Sequence, residues 1–127
     1  MKLGNIYVWE TNQAKGHDRR KKYHLFICVG DWQEENTFLF ISSLDYGGPD
    51  LKIKKSDYPF LSKDESYASC TDIVCYSDSA LSGCEPELIG RLTDEHIISL
   101  RDQILASEIM EQKHINRICQ AIDAYFR

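Results

Sequence analysis

Apolar residues follow two rhythms along this chain, and the change between them near residue 93 predicts a β-rich body followed by helices. Residues 4–11 contain Ile6-Tyr7-Val8-Trp9, β-branched and aromatic, bounded by Gly4 and Asn12, which predicts an opening strand. Residues 23–29 and 36–42 are nearly continuous apolar runs, Tyr23-His24-Leu25-Phe26-Ile27-Cys28-Val29 and Thr37-Phe38-Leu39-Phe40-Ile41, as expected of strands buried on both faces. After a turn-rich stretch at 45–50, Leu51-Lys52-Ile53-Lys54 alternates apolar with charged, the pattern of a half-exposed edge strand. Further strands are predicted over 66–76 and 87–92. Five or six short strands with early hairpin spacing imply a small barrel.

Beyond that point the period lengthens. Thr93 is a good N-cap, Asp94 and Glu95 suit the positive end of a helix dipole, and Ile97, Leu100, Ile104 and Leu105 recur at helical spacing. This predicts a helix over residues 94–106. Ile115, Ile118, Cys119, Ile122, Tyr125 and Phe126 mark a second, amphipathic helix whose apolar stripe packs against the barrel or another subunit. The fold class is therefore mainly β with C-terminal α-helices. A chain of 127 residues with 43% hydrophobic content supports one core, so residues 1–107 form the barrel with its first helix, and 108–127 add a helix to the same domain.

Charge changes this picture in one place. Through Gly30 the chain has six basic side chains against two acidic ones, a local charge of +4, whereas the remainder has nine against eighteen, or −9. Five of those six basic side chains lie in Lys15-Gly16-His17-Asp18-Arg19-Arg20-Lys21-Lys22, read as the connection between the first two strands. Because charges are screened beyond roughly 8–10 Å at physiological salt, such a cluster can attract phosphate despite a net charge of −5. A solvated loop has the same composition.

The other chemistry-bearing residues are less directional. Five scattered cysteines without a C-x-x-C pair fit neither a disulfide framework nor a zinc ribbon, and are read as reduced, packed thiols. His17 is a candidate proton shuttle, with an ordinary surface histidine of a turn as the alternative. Trp9 and Trp32 are candidates for stacking on bases, with the core as the alternative for Trp9. The absence of a long apolar run and of a basic-then-apolar leader predicts a cytoplasmic protein without a membrane span.

The order of pieces resembles the MazF/PemK toxins. The likeness is carried by Gly4-Asn5-Ile6-Tyr7-Val8-Trp9, the Lys15-Gly16-His17-Asp18 turn, basic residues leading into an apolar strand, and Ile89-Gly90-Arg91-Leu92-Thr93 before a helix. It covers residues 3–107 and rests on the shared order and spacing of short motifs. It implies a small SH3-like barrel that forms a homodimer, cleaves single-stranded RNA without a metal or other cofactor, and is neutralised by an acidic antitoxin protein. Attack by a ribose 2′-hydroxyl on the adjacent phosphate needs a base, an acid for the leaving 5′-oxygen, and positive charge on the phosphoryl oxygens.

The family places an arginine just before its second strand and a threonine after its third. Here Lys22 precedes Tyr23 at the first position, and Ser42-Ser43-Leu44 spans the second, with Leu44 at the matching place. What the resemblance implies is thus Lys22, Arg20 and Ser43 as catalytic candidates, with His17, Arg19, Lys21, Ser42, Thr71 and Asp72 binding substrate. Thr71 and Asp72 are read on a strand lining the RNA groove. Two alternatives stay open: a barrel kept as a catalytically inactive protein- or nucleic-acid-binding module, and a DNA-contacting regulator, which lacks support from any helix-turn-helix pattern.

Overall fold

The computed structural model describes residues 1–11, 20–29, 35–44, 48 and 50–127. Among them the elements are β1 (Asn5–Thr11), β2 (Arg20–Val29), β3 (Asn36–Ser42), β4 (Leu51–Lys54), β5 (Glu65–Ala68), β6 (Val74–Tyr76), α1 (Asp78–Cys84), β7 (Glu87–Arg91), α2 (Asp94–Ala106) and α3 (Gln112–Tyr125). The seven strands form one sheet in the order β4-β5-β3-β2-β1-β7, with β6 also paired to β3. Every pairing is antiparallel, and the sheet curls into a half-barrel.

Alternation along the central strands sends side chains into two separate apolar layers. On one face Ile6, Leu25, Leu39 and Ile41 meet Ile97, Leu100 and Ile104 of α2 and Ile115, Ile118 and Ile122 of α3. On the other, Tyr7, Trp9, Phe26, Phe38, Val74 and Tyr76 form an aromatic layer closed by Leu81 of α1. A register shift between Phe26 and Cys28 leaves Ile27 as an extra residue on β2, and Ile27 and Cys28 both pack toward the aliphatic layer. Burial along β2 is graded: Lys21 is exposed, Lys22 and Tyr23 half-buried, His24 to Ile27 buried, Cys28 half-buried and Val29 exposed. The continuous apolar runs of the sequence thus mark covered strands, and β4 alternates buried Leu51 and Ile53 with exposed Lys52 and Lys54 at the sheet edge.

The helices begin and end where local chemistry directs. The Thr93 hydroxyl accepts the His96 N–H and starts α2 at Asp94. Tyr58, buried in the link after β4, accepts the Thr93 N–H at 3.0 Å, and its hydroxyl lies 2.5 Å from His96 Nδ1. The C-terminal helix is tied down at several points. Arg91 donates to the Leu3 carbonyl at 2.9 Å and to the Tyr125 hydroxyl, which donates onward to Asp94 at 2.7 Å. Arg101 grips Asp123 through two bonds of 2.8 and 3.1 Å.

Three expectations are corrected. The segment 66–76 is not one strand: β5 pairs with the end of β3 (Ile41, Ser42) and β6 with its beginning (Asn36, Thr37, Phe38), so the chain leaves the ladder between them. There Asp50 Oδ1 takes the Cys70 N–H, Ser69 Oγ the Thr71 N–H and Asp72 Oδ1 the Ile73 N–H, and these side chains replace ladder bonds. Residues 78–84 are helical, capped by Ser77, whose hydroxyl accepts the Ala80 N–H. Finally, Arg20, Lys21 and Lys22 belong to β2 rather than to the connection, because they pair with Thr11, Glu10 and Trp9.

Gly4 turns the chain into β1 with φ +92, its N–H bonded to the Phe26 carbonyl and its carbonyl to the Leu92 N–H. A Cβ there would also meet Ile97 Cδ1 at 3.1 Å. Gly4→Ala is expected to destabilise the protein by about 1–3 kcal/mol, read as a lower urea midpoint at unchanged slope. Ile118→Ala should cost about 2–5 kcal/mol in the same assay, as a truncation inside a shared core does. A midpoint shift confined to a separate, earlier transition would show instead that α3 unfolds independently.

Candidate nucleic-acid interface

Register brings the basic end of β2 against the serine-bearing end of β3. Tyr23 pairs with Ile41, so the next residues along the two strands are Lys22 and Ser42, with Ser43 following. Ser42 also pairs with Tyr67 of β5, and its hydroxyl accepts the Leu44 N–H at 3.1 Å, which turns the chain away after the strand. Ser43 is exposed, as is Leu44. Lys22 is half-buried beside Trp9, whereas Lys21 is exposed and stands opposite Glu10, an opposite-charge cross-strand pair. Arg20 pairs with Thr11 at the outer end of the same ladder. His17, Arg19 and Trp32 lie outside the described residues.

Thr71 and Asp72 do not join this group. They occupy the link between β5 and β6, which runs back along β3 past Phe40, whose carbonyl accepts the Ser69 N–H at 2.8 Å. At about 3.3 Å per strand residue, that places them roughly 10 Å up β3 from Ser42. Thr71 Oγ1 lies 3.1 Å from Ser69 Oγ, and Asp72 Oδ1 accepts the Ile73 N–H at 2.8 Å, so both side chains serve the turn. Their expected place on a groove-lining strand is corrected accordingly.

What sequence reasoning missed is the layer beneath Lys22. His24 is 0% exposed and Trp9 2%, their rings stacked with centroids 3.5 Å apart and planes 8° from parallel. Phe38, Phe40 and Tyr76 surround the pair. His24 Nδ1 lies 2.8 Å from the Lys22 carbonyl oxygen. A carbonyl only accepts, so Nδ1 carries the proton. Burial drives the pKa of His24 down from 6.5 to about 3, against the raising effect of that backbone bond, and the ring is neutral in the physiological range. No spacing rule points to the stack, since its members sit on different strands and meet only through the register Tyr7/His24 and Trp9/Lys22.

No protein-family model and no curated protein matches this chain. The functional reading therefore rests on the arrangement itself. Burial holds three of the thiols protonated, pushing Cys70 up to about 12 and raising Cys75 and Cys119 as well. Among the described residues no group of three or more His, Cys, Asp and Glu side chains is placed to hold a metal, and no helix is long and apolar enough to cross a membrane.

His24 has a measurable signature. Its folded pKa lies below the unfolded value, so between pH 6.5 and about 3 the unfolded chain binds the extra proton and stability falls with falling pH. The share of the loss that belongs to His24 should approach about 1.4 kcal/mol per pH unit between pH 5.5 and 4.5, the carboxylates that begin to titrate there being common to wild type and variant. Urea denaturation across that window should show the slope in the wild type and a flatter profile in His24→Phe. Equal slopes in the two proteins would contradict a neutral, sealed imidazole.

Proposed function

We propose that this chain is a MazF/PemK-like, SH3-like barrel of a toxin–antitoxin pair, acting as an endoribonuclease on single-stranded RNA without a metal or other cofactor. The observation that carries the reading is the placement of Lys22 beside Ser42, with Ser43 next along the chain, at the strand ends from which the basic β1–β2 segment departs. In this reading Lys22 and Arg20 neutralise the scissile phosphate, and the Ser43 hydroxyl donates to a phosphoryl oxygen. Arg19, Lys21 and Ser42 hold the flanking backbone. The 2′-oxygen forms its bond to phosphorus as the phosphorus–5′-oxygen bond breaks; the 2′-proton passes to a base, and the 5′-oxygen leaves with a proton. His17, within the basic segment, supplies the imidazole for proton transfer, and His24, sealed and neutral, takes no part in it. The working form is a cytoplasmic homodimer restrained by an acidic antitoxin protein that competes for the same basic end.

A second reading, a binding module without turnover, draws on two observations. Lysine at position 22 offers a point charge instead of a planar fork, and Lys21 is opposed by Glu10. The two readings separate in one experiment. Purified protein incubated with a mixed-sequence RNA in EDTA should yield fragments ending in 2′,3′-cyclic phosphate, and Lys22→Ala should slow the cleavage on the order of a hundredfold. Binding without cleavage selects the module in its nucleic-acid-binding form, and neither binding nor cleavage at micromolar protein overturns the ribonuclease and leaves only a protein-binding module.

A further inference from the structure

A lysine is a flexible cation, and its value at a phosphate depends on how firmly its backbone is held. Lys22 is half-buried, two residues along β2 from the fully buried His24 and on the same face of the sheet. The His24 ring reaches back two residues along its own strand to bond the Lys22 carbonyl, an arrangement outside the ordinary strand ladder. The ring is locked for the task from both sides. Trp9, directly opposite Lys22 in the ladder, lies flat on it, and Phe40, the cross-strand partner of His24, tilts against it at 5.0 Å.

We propose that His24 is a positioning residue for Lys22, its Nδ1–H fixing the Lys22 carbonyl and thereby the direction in which the lysine side chain leaves the sheet. The consequence for RNA contact rests on the reading given above. A neutral imidazole has a single N–H, and here it is spent on Lys22. Among the described residues His24 Nε2 and Trp9 Nε1 have no hydrogen-bond partner. A buried acceptor and a buried donor left unpaired cost stability that an aliphatic pair at these positions would not incur. Shape alone is satisfied by a phenyl ring; what histidine adds is the donor at Nδ1.

Two measurements test this. In the unmodified protein, long-range nitrogen-15 correlation of the imidazole should report the Nδ1–H tautomer from pH 5 to 8; an Nε2–H ring with bare Nδ1 cannot donate to Lys22 and overturns the proposal whatever the variants do. Binding is then followed with a fluorescent 2′-O-methyl oligoribonucleotide of mixed sequence, which lacks the attacking hydroxyl. Lys22→Ala should lower the slope of log affinity against log salt by about 0.7, the share of one phosphate on a single strand. His24→Phe, which keeps a ring on Trp9, should lose the same amount, the double variant no more, and His24→Asn, whose amide N–H replaces Nδ1–H, should regain most of it. A folded His24→Phe with the wild-type slope, or losses that add in the double variant, would overturn it. If Lys22→Ala itself leaves the slope unchanged, the RNA reading fails instead, and the tautomer together with the Lys22 carbonyl carbon-13 shift in His24→Phe decides the positioning role alone: a shift that stays at its wild-type value ends it.

Discussion

Cover on both faces of β2 and β3 is the constraint from which the rest of the fold follows. A strand in the middle of a sheet has no water to satisfy its backbone, so each edge must find a partner, and apolar residues pointing both ways need a layer on each side. β2 meets this with β1 and β3. β3 has β2 on one edge, while the other is shared in succession by β5 and β6. That sharing forces the chain to depart and return between Ala68 and Val74, and it is why side-chain oxygens of Asp50, Ser69 and Asp72 take backbone donors there. The helices answer the second demand: α2 and α3 seal the aliphatic face, and α1 reaches the aromatic one through Leu81.

Much of this was legible in the order of residues. The bounds of α2 could be read because Thr93 is a cap and the apolar period starts immediately after it. β4 could be read because its alternation is strict. The helix α1 could not, since Ser77-Asp78-Ser79-Ala80 has a cap but too short an apolar pattern, with Leu81 its one buried residue. The split of 66–76 was hidden for a different reason: each half suits a strand locally, and only their different partners on β3 separate them.

The candidate site divides along the same line. Its charge was visible as a cluster, but whether Arg20 to Lys22 form loop or strand depends on pairing with β1. Lys22 and Ser42 are neighbours through register, which no local motif encodes, and register likewise separates Thr71 and Asp72 from them. His24 reads in sequence as one more member of an apolar run. Its neutral ring, its bond to Lys22 and its stack on Trp9 are properties of assembled strands.

The graded burial of β2 separates two kinds of evolutionary freedom within a single strand. Residues 24–27 are enclosed and answer to packing, so change there is filtered by whether the chain folds at all. Lys21 and Lys22, exposed and half-buried, carry charge without belonging to either buried core. Selection can therefore exchange cations at that end while the scaffold that presents them stays unaltered.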